Sequence, residues 1–215
     1  MNSHRTFGSL ASAAASAALV VSATFALSAP AAAEDSADLA GAVAALRAIT
    51  TMRADFIQAD ANGQRVKGVL TLKRPGRIRF QYEKGVPILI VSDGTALTFV
   101  DYQVRQVQRW PIKSSPLGAL LDPKRDVAKY GRVIQTGSDR IVSIEVSDKA
   151  RPEYGVITLV FTRKAGAPGG LELSSWAALD SQNRRTIVTL SNQQYGIPVA
   201  DNTFRFNDPR GPTRR

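Results

Sequence analysis

Cysteine is absent from this 215-residue chain, and its single histidine is His4. Without a thiol, disulfide frameworks, thiol redox chemistry, c-type haem attachment and Cys-His hydrolysis are excluded. With one imidazole, close to the N-terminus, Ser-His-Asp hydrolysis and the usual Cys/His zinc sites are excluded as well. The sequence also lacks a glycine-rich phosphate loop, a Ser-x-x-Lys pair and a Gly-x-Ser-x-Gly elbow. Carboxylates can act in pairs, but Asp93, Asp101, Asp122 and Asp126 fall at turn and cap positions, where acidic side chains satisfy backbone N–H groups. No catalytic residue, metal or cofactor is expected.

Long hydrophobic runs are confined to one place. Arg5 precedes an Ala/Val/Leu/Phe-rich stretch over 7–27, and Ala31-Ala32-Ala33 stands just before Glu34-Asp35. This is the pattern of a secretory signal peptide over 1–33, with a single domain over 34–215. No later stretch approaches the ~20 apolar residues of a membrane-spanning helix, so an exported protein that does not span the membrane is expected. Cleavage there would leave 182 residues with 27 basic and 18 acidic side chains, a net charge of +9. Basic residues such as Lys67, Lys73, Arg77 and Arg79 alternate along strand-like segments, which suits solvent faces and a diffuse attraction to anionic surfaces; nucleic acid is not expected as a partner.

The exported part starts with a helix. Asp35 and Ser36 are candidate caps, and Leu39, Val43, Leu46 and Ile49 recur at helical spacing. From Met52 the period becomes two: Met52, Ala54 and Phe56 alternate with Arg53, Asp55 and Ile57. Strands are expected over 66–73, 78–82, 86–91, 95–101 and 102–110, with turns at Asp60-Ala61-Asn62-Gly63, Arg74-Pro75-Gly76 and Asp93-Gly94. Leu117, Leu120 and Leu121 have the spacing of a short helix, which Asp126 and the residues after it could continue. Strands return over 132–135, 140–146, 156–163, 171–179, 185–192 and 203–206. About eleven short strands in one unit argue for a strongly curved antiparallel sheet, and the two helices must bury their apolar stripes on its concave face. Whether the helices are fixed core or a removable cover over a pocket is left open by the pattern.

The segment Asp55-Phe56-Ile57-Gln58, then Leu70-Thr71-Leu72-Lys73-Arg74-Pro75-Gly76-Arg77-Ile78-Arg79-Phe80, then Val91-Ser92-Asp93-Gly94, resembles the periplasmic outer-membrane lipoprotein carrier family, LolA. The likeness runs in order and spacing over most of 36–125 and continues to the C-terminus in strand rhythm alone. It implies a mainly β protein with helices: an incomplete, half-open antiparallel barrel of about eleven strands under a helical lid. It implies a monomeric periplasmic chaperone that binds the acyl chains of lipoproteins and carries them from the inner to the outer membrane. The implied partners are acylated lipoproteins, an inner-membrane ABC-type releasing transporter, and an outer-membrane acceptor or the outer-membrane surface. Arg74 matches an arginine implied to lock the lid by hydrogen bonds to helix backbone. Leu46 matches a pocket-facing helix position, and Leu39, Val43, Leu117, Leu120 and Leu121 are further lid candidates. Strand alternation makes Phe56, Leu70, Leu72, Ile78, Phe80, Leu89 and Val91 candidates for the acyl-chain cavity. The lack of cysteine means this chain cannot itself be acylated as a lipoprotein. A binding module for another lipid or amphiphile, and an envelope scaffold, remain the alternatives.

Overall fold

The computed structural model describes residues 30–122 and 126–211; apart from its last four residues, the expected signal peptide lies outside them. The chain opens with α1 (Pro30–Ala48), which begins upstream of the expected Asp35-Ser36 cap. Alanine is the best helix former and proline suits the first turn, so 30–33 can extend the helix without a polar cap. Six strands follow: β1 (Thr51–Ala59), β2 (Arg65–Lys73), β3 (Arg77–Tyr82), β4 (Ile88–Asp93), β5 (Ala96–Asp101) and β6 (Gln106–Pro111). A 3-10 turn (Ile112–Ser114), α2 (Gly118–Leu121) and α3 (Val127–Tyr130) then lead to β7 (Gly131–Ile134), β8 (Ile141–Ser147), β9 (Val156–Arg163), β10 (Leu171–Leu179) and β11 (Arg185–Tyr195).

All eleven strands join one antiparallel sheet in the order β6-β5-β4-β3-β2-β1-β11-β10-β9-β8-β7. Every neighbour is a sequential hairpin except the pair β1 and β11, which brings Phe56 opposite Leu190. β6 and β7 stand at the two edges and do not pair with each other, so the sheet stays open. The meander also sorts the turns. The β1–β2, β3–β4, β5–β6, β8–β9 and β10–β11 hairpins share one end of the sheet, and the remaining turns share the other.

One face carries the large core. Met52, Ala54 and Phe56 of β1 lie opposite Leu72, Leu70 and Gly68 of β2, which in turn face Ile78, Phe80 and Tyr82 of β3. Glycine at 68 leaves room between two aromatic neighbours: the Phe56 ring meets those of Tyr82 and Phe80 edge-on, each at 5.3 Å. A Cβ at Gly68 would sit 2.2 Å from the Gln81 carbonyl oxygen. Across β11, β10, β9 and β8 the same face continues through Val188, Trp176, Leu159 and Ile144.

The helices fill this face. Ala42, Val43, Ala45, Leu46 and Ile49 of α1, with Ala119, Leu120 and Leu121 of α2 and Val127 of α3, belong to the same buried cluster as Phe56, Leu70 and Phe161. α1 lies against the half of the sheet formed by β7, β8 and β10, and against a 3-10 turn at Pro168–Gly170. There Gly169, at φ +64°, passes so close that a Cβ would lie 2.9 Å from the Ala45 Cα. Only glycine accepts both that backbone conformation and that approach.

Three sequence expectations need correction. Tyr102 does not begin a strand: 102–105 form a turn with Arg105 at φ +54°, and pairing begins at Gln106. The expected strand over 203–206 is instead a 3-10 turn (Asp201–Phe204), which packs Phe204 on the outer face against Leu89, Val91 and Val100. Carbonyls of this segment are held by side chains rather than a ladder, since Lys73 donates to the Val199 oxygen and Arg79 to those of Thr203 and Arg205. Finally, Leu89 and Val91 point to this outer face, and Ile88 and Ile90 take the inner one. The unbroken apolar run in β4 reflects a strand covered on both sides, the case in which alternation loses its meaning.

Candidate functional site

Where the helices stop, the inner face is uncovered. A cleft of about 430 Å³ remains between Phe80, Ile90, Leu97 and Trp110 on one wall and Trp176, Ala178 and Val188 on the other, with Leu117 and Pro116 as its roof. Gln58, Gln108, Thr186 and the Arg184–Asp180 ion pair form a polar rim. These rim residues lie near the hairpin end that holds the β1–β2, β5–β6 and β10–β11 turns, so the cleft opens there. Phe80 packs edge-on to Trp176 with ring centroids 6.2 Å apart, joining the cleft floor to the aromatic cluster around Phe56. In that cluster Tyr82 donates its hydroxyl to Gln58 Oε1 at 2.8 Å, and burial pushes the phenol above its ordinary pKa.

The opposite end is fastened by one side chain. Arg74 donates Nε to the Ile49 carbonyl at 2.9 Å and Nη2 to those of Leu46 at 2.7 Å and Leu120 at 3.2 Å. Leu46 belongs to the last turn of α1 and Ile49 follows it, where carbonyls lack partners within the helix, while Leu120 belongs to α2. One guanidinium therefore ties the β2–β3 turn to both helices. Burial lowers its pKa from the usual guanidinium value, yet it stays charged at any physiological pH.

Two separate turns hold Arg74 in place. Ser92 donates its hydroxyl to the Gly76 carbonyl at 2.7 Å and accepts from the Gly94 N–H at 3.1 Å. Gly76, at φ +68°, lies so near Gly94 that a Cβ would reach the Gly94 oxygen at 2.7 Å. Asp93 closes the second turn by accepting from the N–H groups of Thr95 and Ala96 and pairing with Arg109. Burial alone would raise the Asp93 pKa, but these donors hold it down at about 2. The Arg-Pro-Gly and Ser-Asp-Gly segments of the sequence are thus one structural unit.

The candidates now have places. Phe56, Leu70, Leu72, Ile78 and Phe80 are buried on the inner face together with Leu46, Val43, Leu120 and Leu121, and Leu39 and Leu117 are half-buried against them. Leu89 and Val91 lie on the other face and line no part of the cleft. Sequence reasoning passed over Ile90, Leu97, Trp110, Trp176 and Val188. Ile90 was reachable from register, because it stands opposite Phe80. Trp110 and Trp176 come to line the same cleft only through the β1–β11 pair, which no local pattern announces. A larger groove of about 560 Å³ beside β7 and β8 is walled by charged residues such as Lys129, Arg132, Glu145 and Lys149 and offers no continuous apolar wall.

The family model for "Outer membrane lipoprotein carrier protein LolA" matches residues 47–207. The chain is 30% identical over 204 residues to an outer-membrane lipoprotein carrier protein of Cupriavidus necator, covering 88% of this chain and 91% of that one. It is likewise 30% identical over 172 residues to a protein of the same name from Nitrosospira multiformis, covering 75% and 80%. Among solved structures, a LolA superfamily protein from Nitrosomonas europaea superposes with a TM-score of 0.40 at 10% identity, over 77% of this chain and 97% of that one. With the family model spanning both the Arg74 turn and the cleft walls, this chain belongs to the outer-membrane lipoprotein carrier family LolA.

Proposed function

We propose that the protein is a periplasmic carrier that shelters the acyl chains of lipoproteins on its inner face and moves them from the inner membrane toward the outer membrane. The observation that carries this reading is the continuity of two surfaces. The open cleft beneath Leu117 runs into the inner-face core that α1 and α2 cover, and that cover is fastened by Arg74. Among the described residues no helix is long and apolar enough to cross a membrane, and family membership supports lipoprotein as cargo.

Energetics explain why a cover is needed. Burying an acyl chain gains roughly 0.8 kcal/mol per methylene, on the order of 12 kcal/mol for a sixteen-carbon chain. Several such chains in a permanently open pocket would not leave again. If cargo must first displace α1 and α2, the gain is offset by exposing Leu46, Leu120 and Leu121 and by breaking the Arg74 hydrogen bonds. Arg74 then sets how tightly cargo is held, and release to the acceptor is aided by re-forming its bonds. An inner-membrane ABC-type transporter supplies cargo in this scheme, and an outer-membrane acceptor or the membrane itself receives it.

The test is reconstitution. Inner-membrane vesicles containing such a transporter and a radiolabelled lipoprotein are incubated with ATP and the purified protein. Release of labelled lipoprotein into the soluble fraction as a complex supports the proposal. Lipoprotein that stays with the vesicles in the presence of an active transporter overturns it.

A further inference from the structure

The two edges of the sheet are unequal. β7 has four residues, and α1 and α3 pack along it. β6 has six, most of them exposed, and among the described residues no strand pairs with its far side. The phase of its ladder follows from the next residue: Ile112 donates its N–H to the Thr95 carbonyl, so Gln106, Gln108 and Trp110 exchange hydrogen bonds with β5. The N–H and C=O groups of Val107 and Arg109 consequently face away from β5 and have no ladder partner among the described residues.

This edge adjoins the cleft. The side chains of Gln108 and Trp110 form part of the cleft wall, so an occupant of the cleft lies against β6, and a chain joined to it that leaves over the Gln108 side of the rim passes along this edge. The turn that leads into β6 adds a second feature. Val104 is 64% exposed and Tyr102 38%, and with Ile57 they are the large hydrophobics most open to water among the described residues. Two unpaired residues of backbone, flanked by two uncovered apolar side chains, are what an added strand would use: ladder hydrogen bonds for affinity and side-chain contacts for placement.

We infer that β6 receives, as a twelfth strand, the extended segment of cargo polypeptide that follows its acylated residue. The inference rests on the carrier reading above and adds a contact to the protein part of the cargo. It explains how one carrier could hold a lipoprotein by more than its acyl chains while staying indifferent to its sequence, because ladder bonds are made by backbone.

Amide hydrogen exchange tests it, with two probes compared on the same protein: a short triacylated peptide and dipalmitoylglycerol, which has acyl chains and no peptide. Exchange at Val107 and Arg109 is expected to slow about fivefold or more with the lipopeptide relative to dipalmitoylglycerol, the equivalent of one net hydrogen bond. N-methylation of alternate peptide amides is expected to abolish that difference. Val107→Pro removes an outward N–H, which an edge strand tolerates, and trims a side chain packed on the outer face, away from the cleft; it is expected to weaken lipopeptide binding severalfold while leaving dipalmitoylglycerol binding unchanged. If both probes bind and protect these amides equally, the twelfth strand is overturned and the carrier reading stands. If neither probe binds, the carrier reading itself fails, and this inference fails with it.

Discussion

The guanidinium of Arg74 lies 2.7 Å from the carbonyl oxygen of Leu46, so a side chain from a β-turn completes the last turn of the helix that covers the sheet. The same group reaches Ile49 and Leu120, and nothing smaller or singly donating could serve all three. Replacing Arg74 by leucine leaves these carbonyls to find water or go unpaired, a cost of about 1–3 kcal/mol. Arg74→Leu is expected to unfold at lower urea concentration and to bind more of an apolar dye, because the cover opens more often. Arg74→Lys is expected to restore the loss only in part, since an ammonium lacks the planar fork. Equal dye fluorescence from wild type and Arg74→Leu would count against the fastening role.

Helix α1 is also seated at Gly169. Gly169→Ala forces a side chain into the left-handed region and against the Ala45 backbone, with an expected loss of roughly 2 kcal/mol or more. Gly166→Ala is the matched control: it also has positive φ, at +85°, but open space around it, so only the backbone cost of about 1 kcal/mol applies. Hydrogen exchange should accelerate in α1 for the first variant and not for the second.

The segment after β11 is held on the outer face by charge. Hydrogen bonds from Lys73 and Arg77 hold the Asp201 carboxyl below the usual carboxylate range. A depressed folded pKa means that this attachment is present above the unfolded value of about 3.9 and is lost as the pH falls through the lower folded value. Protection of the amides of 197–206, measured against their intrinsic rates at the same pH, is therefore expected to fall in acid or high salt, and Asp201→Asn should show the lowered protection already at neutral pH. An Asp201→Asn variant with wild-type protection in this segment would refute the electrostatic clamp.

Tyr82 and Tyr195 are both raised by burial, Tyr195 to about 12, with Glu172 adding to its shift. Stability tied to their neutral forms is present below about 10 and is lost as the pH climbs toward the folded values. In an ultraviolet titration these two should ionise above the ordinary phenol range. Tyr82→Phe removes one late step and leaves Gln58 Oε1 without its donor, at a cost of about 1 kcal/mol in denaturant unfolding. An unchanged late step in the variant would contradict the assignment.

Much of the fold was legible because most strands bury one side only. In β1 to β3, strict alternation put Phe56, Leu70, Leu72, Ile78 and Phe80 on one face, and the structure buries them together there. The method failed at Leu89 and Val91, where β4 is apolar on both faces because Phe204 covers its outside. It failed again at 203–206, whose alternating residues are anchored by arginine and lysine from distant strands rather than by a ladder. Arg74 was legible only through the resemblance; by composition it is one more basic residue beside Pro-Gly. The cleft was not legible, since Trp110 and Trp176 stand 66 positions apart and come to line one cleft by way of the β1–β11 strand pair.

That pairing supplies the most direct test of acyl-chain binding. Trp110 and Trp176 are the only tryptophans in the chain, and both line the cleft. Titration with a lipopeptide whose acyl chains carry bromine should quench tryptophan emission in a saturable way, and the unbrominated lipopeptide should compete the quenching away. Emission that stays unchanged at brominated lipopeptide concentrations sufficient for complex formation, as judged by co-migration on a sizing column, would show that acyl chains bind elsewhere and contradict the site proposed for them.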